Sequence, residues 1–164
     1  MKKLWIVVMC ALCLAGCSAA QTMETIADDL VFAEAEAAQV ELMIPQNSEM
    51  QLLSENGDDK LYLCGDYTIA VQTLCGGDLN RTVQTVTGYE KDSLMLMQTQ
   101  RNGITTYSCA WSAVGEGADQ VCRAIILDDG EYHYAVTVMA DYTQAAQLCE
   151  TWQQVFDSVT LSID

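Results

Sequence analysis

The sequence is strongly acidic, which limits the functions it can have. Its 164 residues include 23 aspartates and glutamates against 7 lysines and arginines, giving a formal net charge of −16 at pH 7. This balance argues against nucleic-acid binding, because phosphates require clustered lysine and arginine side chains. It also argues against a body lying on an anionic membrane surface, since like charges repel. The length suffices for one domain with a sizeable core.

The N-terminal segment has the pattern of an export signal. Lys2 and Lys3 precede the apolar run Leu4–Leu14. That run is shorter than the roughly 20 residues of a membrane-spanning helix and matches the about 7–15 apolar residues of a cleaved signal. It ends in Leu14-Ala15-Gly16-Cys17, a string that resembles the lipobox of bacterial lipoproteins.

The lipobox resemblance implies an address and an anchor. Cleavage between Gly16 and Cys17 would remove residues 1–16 as a signal peptide, together with Cys10 and Cys13. Diacylglycerol on the Cys17 thiol and a further acyl chain such as palmitate would then hold the mature chain more firmly than one chain can. We expect a lipid-anchored protein at the extracytoplasmic face of a bacterial membrane, which touches that membrane through its N-terminal lipid.

Residues 17–47 are predicted to form an acidic, partly helical tether. The stretch Ser18–Met43 contains no base, glycine or proline, its alanines and glutamates favour helix, and its apolar residues fall at helical spacing. A partner-binding amphipathic helix is the alternative. Pro45 marks the boundary, so a single folded domain is predicted over residues 48–164.

The domain is predicted to begin with extended chain. A strand over Glu49–Glu55 leads into Asn56-Gly57, a strong two-residue hairpin signal. Extended chain then continues over Leu61–Leu74, with a bulge or bend at Gly65-Asp66.

A short helix and four strands are predicted next. Asp78 can cap the helix at its start, and Gly88 can end it. Turns that contain glycine join the strands, which makes them a consecutive antiparallel meander. The predicted strands are Leu94–Gln100, Ile104–Val114, Asp119–Leu127 and Glu131–Met139.

The last predicted element is a helix over Tyr142–Ser158, with Asp141 as its cap. An apolar stripe at helical spacing runs along it. The stripe consists of Ala145, Leu148, Cys149, Trp152, Val155 and Phe156.

Both faces of the predicted sheet should be covered, because strands such as Asp119–Leu127 are apolar on both sides. The last helix is expected to cover one face, and either the short helix or the tether to cover the other. The predicted fold class is therefore α+β, an antiparallel β-meander sheet packed between helices.

The order of these elements resembles a known architecture. A helix ends in Val86-Thr87-Gly88-Tyr89, hairpin-linked strands carry Trp111 and Tyr132-His133-Tyr134, and a final helix enters Phe156-Asp157-Ser158-Val159. This order is similar to the PsbP-like α/β/α sandwich, and to small uncharacterised lipoproteins of Firmicutes. The resemblance implies an adaptor for larger assemblies that has no catalytic residues of its own.

Cys109 and Cys122 are predicted to form a disulfide. If a two-residue turn lies at Gly115-Glu116, the two cysteines stand directly opposite each other on adjacent strands. Their Cα atoms would then lie about 4.5–5.5 Å apart, within disulfide range. Cys149 is predicted to be a buried hydrophobic residue. Cys64 and Cys75, on one extended segment, are predicted not to bond to each other.

No catalytic or metal-binding pattern is recognised in the sequence. His133 is the only histidine, and we expect it to be a packed strand residue opposite Ile126. The chain after Cys17 has no C-x-x-C pair, and the hydrolase, zinc-protease and phosphate-loop motifs are lacking. We therefore predict no metal, no cofactor and no enzymatic activity.

The central aromatic residues leave two functions open. Trp111, Tyr107 and Tyr134 are expected to fill the core, and a ligand-facing aromatic groove is the alternative. The leading prediction is a non-enzymatic adaptor or binding module for an unidentified envelope protein. The alternative is a carrier of a small ligand or cell-wall fragment with an aromatic-lined pocket, and an enzyme ranks third.

Overall fold

The computed structural model describes residues 36–54, 59–114 and 119–162. The predicted signal peptide, the lipobox with Gly16 and Cys17, and the first part of the predicted tether lie outside these residues. The described strands are β1 Gln39–Glu41, β2 Glu49–Leu52, β3 Lys60–Leu63, β4 Thr68–Cys75, β5 Met97–Arg101, β6 Ile104–Val114, β7 Asp119–Asp128, β8 Tyr132–Asp141 and β9 Thr160–Ser162. The helices are α1 Leu79–Thr87, α2 Tyr142–Ala145 and α3 Cys149–Ser158, with a 3-10 turn at Lys91–Ser93.

Seven of these strands form one antiparallel sheet, in the order β2-β3-β4-β8-β7-β6-β5. Strands β5 to β8 make the predicted meander, and β2 to β4 make a second one. The two meanders join where β4 pairs with β8. This arrangement places β8 and β7, the most apolar strands, at the centre, where both of their faces are buried.

Each face of the sheet is covered by a helix. One face, which we call the α3 face, packs on Trp152, Val155 and Phe156 of α3. On the opposite face, the α1 face, Val83 of α1 packs on Ile126 and Ala135. The α+β fold class and the sheet between helices are therefore confirmed, and the short helix provides the second cover.

Local signals in the sequence place several ends and turns correctly. The Asp78 carboxylate accepts a hydrogen bond from the Arg81 N–H (3.0 Å) and caps α1, and Gly88 ends that helix at a φ of 78°. Asn102 and Gly103 link β5 to β6 with φ values of 52° and 83°. Two residues in the left-handed region match the twist of a tight hairpin.

The final helix is interrupted, contrary to the prediction of one helix over Tyr142–Ser158. The chain turns after α2, and α3 starts again when the Trp152 N–H donates to the Leu148 carbonyl (2.9 Å). Asp141 provides no side-chain cap. Because of the break Cys149 is exposed, so the prediction that it is buried is wrong.

The segment predicted as extended over Leu61–Leu74 reverses its direction. Gly65, with a φ of 82°, lies in the turn between β3 and β4, and the Cys64 N–H donates to the Tyr67 carbonyl (2.9 Å). The glycine supports a hairpin turn here, because a positive φ is permitted to it at little cost. A bend within one strand was the wrong interpretation.

The folded part begins earlier than residue 48, because β1 pairs with β9 along Gln39–Glu41. Val40 and Leu42 pack against the core on the α3 face. Residues 36–47 therefore contain a strand and no helix, contrary to the prediction that the tether extends to residue 47, and residues 17–35 lie outside the described residues. Their helical spacing was misleading because tertiary packing and pairing with the C-terminal strand outweigh a weak local propensity.

Tyr134 fastens this N-terminal strand to the sheet. Its hydroxyl donates to the Asp129 carboxylate (2.8 Å) and accepts from the Ala38 N–H (2.9 Å). Burial, together with the Asp129 contact, raises the pKa of Tyr134 to about 12. Burial alone would raise the pKa of Asp129, but hydrogen bonds from the Tyr132 and Glu131 N–H groups and from Tyr134 hold it below its usual value.

Candidate functional site

The structure separates the two cysteines that were predicted to bond. Cys109 pairs with Ala124 and Trp111 pairs with Cys122, so the prediction that the thiols stand directly opposite each other is wrong. Residues 115–118 connect β6 to β7, whereas the prediction assumed a two-residue turn. The two cysteines are now diagonal neighbours, about 7–8 Å apart between Cα atoms, which is beyond usual disulfide reach.

Both thiols are free, as are those of Cys64, Cys75 and Cys149. Burial raises the pKa of the Cys109 thiol and raises that of Cys122 to about 11. A thiol that stays protonated is a poor nucleophile and a poor metal ligand. Cys109 and Cys122 are therefore buried core residues on the α1 face of the sheet.

His133 is a packed residue, as predicted, but it has a different neighbour. It stands opposite Asp128 instead of Ile126, and it is 2% exposed. Its Nδ1 lies 2.6 Å from the Thr82 hydroxyl of α1, and its Nε2 lies 3.7 Å from the Asp128 carboxylate. The contact between Thr82 and His133 joins α1 to the sheet.

The three candidate ligand-facing aromatic residues do not share a cavity. The strand pairing places Tyr107 and Trp111 on the α1 face and Tyr134 on the α3 face. Tyr134 is completely buried. The alternative of an aromatic pocket formed by these three residues is therefore wrong, because the sheet itself lies between Tyr134 and the other two.

A groove of about 710 Å³ instead lies on the α3 face. Its floor is formed by β5, β6 and β7, and its wall by the second half of α3. It exists because α3 covers the centre of the sheet and leaves Met97 and Thr99 of β5 exposed. The groove is lined mainly by Met95, Met97, Thr99, Arg101, Thr106, Ser108, Arg123, Ile125, Gln153, Phe156 and Asp157.

Arg101 stabilises the wall of the groove. Its guanidinium donates to the Phe156 carbonyl (2.7 Å) and to the Asp157 carbonyl. These carbonyls belong to the last turn of α3, where a cation also interacts favourably with the helix dipole. Arg101 therefore holds the end of α3 against the β5–β6 hairpin.

Arg123 has a different environment. Its guanidinium lies over the Phe156 ring, 5.7 Å from the ring centroid, and the residue is half-buried. Within the described part of the chain, Arg123 has no hydrogen-bond or ion-pair partner. Stacking occupies one face of the guanidinium and leaves the N–H groups of its edge available.

Two hydroxyl groups of β6 lie on the same face as Arg123. Thr106 is 7% exposed, and its Oγ1 has no hydrogen-bond partner. Ser108 follows two residues later and pairs with Ile125, next but one to Arg123 along β7. The groove thus combines a guanidinium, hydroxyl groups and an apolar wall.

None of these groove residues was predicted to bind a ligand, although Phe156 belongs to the apolar stripe of the predicted last helix. One signal was available, since Arg123 interrupts the apolar run Val121–Leu127 in a chain with few bases. Its significance depends on Phe156, which lies far along the chain. Across residues 36–54, 59–114 and 119–162, no cluster of three or more histidine, cysteine, aspartate or glutamate side chains is arranged to hold a metal.

The architecture is a PsbP-like α/β/α sandwich. Neither a protein-family model nor a curated protein matches the sequence. The chain is similar to the solution structure of cyanobacterial PsbP (CyanoP) from Synechocystis, with a TM-score of 0.56 and 11% identity over 79% of this chain and 96% of that one. A larger Bacteroides thetaiotaomicron protein gives a TM-score of 0.54 at 11% identity, over 76% of this chain but only 46% of its own length.

Two further solved structures share this fold. LpqN, involved in cell envelope biogenesis of Mycobacterium tuberculosis, gives a TM-score of 0.51 at 11% identity, over 79% of this chain and 88% of that one. The Saccharomyces cerevisiae Ran-binding protein Mog1p gives 0.51 at 11% identity, over 74% and 89%. Among the helices that the structure describes, none has the length and apolarity required to cross a bilayer.

Proposed function

We propose that this protein is a lipid-anchored extracytoplasmic lipoprotein whose sandwich domain is a non-enzymatic binding module. The groove on the α3 face carries the proposal for the domain, because beside its apolar side chains it presents Arg123, whose guanidinium has no hydrogen-bond or ion-pair partner among the described residues. The string Leu14-Ala15-Gly16-Cys17 carries the proposal for the anchor. A relationship to small lipoproteins of Firmicutes belongs to the same proposal and rests on the order of the elements.

The solved structures of the same fold support a binding role. One is described as a Ran-binding protein and another as involved in cell envelope biogenesis. An adaptor for an envelope protein and a carrier of a small ligand both fit a binding module. The size of the groove favours the carrier, since small-molecule sites occupy about 300–1,000 Å³.

The anchor is tested by replacing Cys17 with serine in the full chain expressed in a bacterium. We expect the variant to lose both labelling by an alkyne analogue of palmitate and cleavage before residue 17, because serine has no thiol to receive diacylglycerol and cleavage follows that modification. Replacing the exposed Cys75 with serine is the matched control and should retain both properties. Persistent labelling of the Cys17→Ser variant would contradict the lipobox.

The binding role is tested by placing a photo-crosslinking amino acid at position 97 in the full chain. Met97 is 61% exposed at the rim of the groove, and Leu52 on the distant strand β2 is 59% exposed and serves as the control position. We expect the amino acid at position 97 to form a discrete covalent adduct with the bound ligand or partner, and the same amino acid at position 52 to form none. Arg123→Glu should abolish this adduct. Equal labelling at both positions, or an adduct indifferent to Arg123→Glu, would overturn the groove as the binding surface.

A further inference from the structure

We infer that the groove on the α3 face binds a small organic anion with an unbranched apolar chain, whose carboxylate or phosphate group contacts Arg123. This inference rests on the proposed binding role and adds the chemical class of the ligand. It differs from the aromatic pocket expected from the sequence, since its determinants are a guanidinium, hydroxyl groups and flexible apolar side chains.

The negative charge of the ligand is inferred from Arg123, whose guanidinium has no acidic partner among the described residues. The chain contains 23 acidic residues, yet none of the described carboxylates lies within 4.0 Å of this guanidinium. A half-buried arginine without a protein partner has lost part of its hydration without regaining hydrogen bonds. A carboxylate or phosphate restores them, because its oxygens match the fork of N–H groups along the guanidinium edge.

Thr106 adds a hydroxyl group to the floor of the groove. Its Oγ1 is buried and has no hydrogen-bond partner among the described residues, and the residue lines the groove at the level of Thr99. Leaving such a hydroxyl unpaired costs free energy unless a ligand or an ordered molecule satisfies it. Ser108 lies between Thr106 and the level of Arg123 on the same face. Thr106, Ser108 and Arg123 form a row of polar side chains along the floor of the groove.

The apolar chain of the ligand fits the remaining surface. Phe156 and Ile125 form the buried side of the groove, and Met97 forms its exposed rim. Methionine side chains are flexible and polarisable, so they adapt to an unbranched chain. The volume of about 710 Å³ accommodates such a molecule.

The end of the groove that is formed by Arg101 and Asp157 is not expected to bind the anionic group. Arg101 is already engaged with the Phe156 and Asp157 carbonyls. The Asp157 carboxylate accepts a hydrogen bond from the Gln153 side chain (2.9 Å) and disfavours a second negative group nearby. The charge pattern therefore directs the anionic group to Arg123 and the apolar chain along the rest of the groove.

The test measures binding of four octyl probes to the full chain in phosphatidylcholine nanodiscs, with empty nanodiscs subtracted. The probes are octanoate, octyl phosphate, octanol and octyltrimethylammonium. We expect at least one anion to bind at least tenfold more tightly than octanol, and the cation not to bind. The preference between octanoate and octyl phosphate distinguishes a carboxylate ligand from a phosphate ligand.

Variants separate recognition at the groove from bulk charge. Arg123→Gln should weaken binding of the preferred anion at least tenfold and leave octanol unchanged, and Arg123→Lys should give a smaller loss. Arg81→Gln, at an exposed position on α1, makes the same charge change and should have no effect. Circular dichroism verifies that each variant is folded.

Two results would overturn this inference. One is equal binding of all four probes or of none, and the other is an equal loss of binding in Arg81→Gln and Arg123→Gln. If position 97 still gives its Arg123-dependent adduct while no anionic probe binds, the binding module stands and the ligand class fails. If no anionic probe binds and position 97 gives no Arg123-dependent adduct, the proposed binding role is contradicted as well.

Discussion

Replacing Trp152 with alanine is expected to lower the free energy of unfolding by about 3–5 kcal/mol, the range for a large aromatic residue removed from a core. Trp152 is 1% exposed and is among the largest fully buried side chains of the described structure. It packs within the cluster that joins α3 to β4, β7 and β8. Small domains are stable by only about 5–15 kcal/mol, so this loss removes a large part of the total.

The indole nitrogen of Trp152 is tested separately by replacing Trp152 with phenylalanine. Trp152 Nε1 is buried without a hydrogen-bond partner in the described structure. Trp152→Phe should therefore cost less than about 2 kcal/mol, because removing an unsatisfied donor offsets part of the lost packing. Urea unfolding followed by far-UV circular dichroism measures both variants.

Gln154→Ala is the matched control, because Gln154 is exposed on the same helix. Its effect should stay within about 0.5 kcal/mol. A loss below 1 kcal/mol for Trp152→Ala, on the order of a surface substitution, would contradict the burial of this side chain.

Replacing Thr82 with valine is expected to destabilise the domain by about 1–3 kcal/mol, because it leaves a buried imidazole nitrogen without a partner. The Thr82 hydroxyl is 2.6 Å from His133 Nδ1, and both residues are buried. The Asp128 carboxylate beside Nε2 favours the ring proton on that nitrogen. Nδ1 therefore accepts from Thr82, and valine cannot replace this donor.

Thr85 provides the control for this substitution. It lies on the same helix, is exposed, and donates its hydroxyl only to the Arg81 carbonyl (2.8 Å). Thr85→Val should change stability by about 0.5 kcal/mol or less, and Thr82→Ser should restore most of what Thr82→Val loses. If the two valine variants unfold at the same urea concentration, the contact between Thr82 and His133 does not stabilise the fold.

The strand-rich body was predictable because strands and caps depend on near neighbours. Apolar residues on both faces of β7 indicated a sheet covered twice, and Asp78 and Gly88 marked the ends of α1. The Asn102-Gly103 turn was also evident, since the conformation it requires is available to few residue types.

The pairing of those strands was predicted less well, because register depends on loop length. Both β6–β7 and β7–β8 are displaced by two residues from the expected pairing. At the second loop, Asp129 accepts hydrogen bonds from the N–H groups of Glu131 and Tyr132 and stabilises a longer turn. A displacement of two residues preserves the face of every side chain, so the buried faces were still predicted correctly.

The sequence alone determined the acidity of the chain, the lipobox pattern, the alternation that builds the sheet and the apolar stripe that covers it. These features depend on composition or on residues a few positions apart. The tertiary structure decided which cysteines are neighbours, that β1 joins β9, and that Arg123 meets Phe156 in a groove. Residues that are distant in sequence meet there because α3 covers only part of the sheet, and no local pattern specifies how far that cover extends.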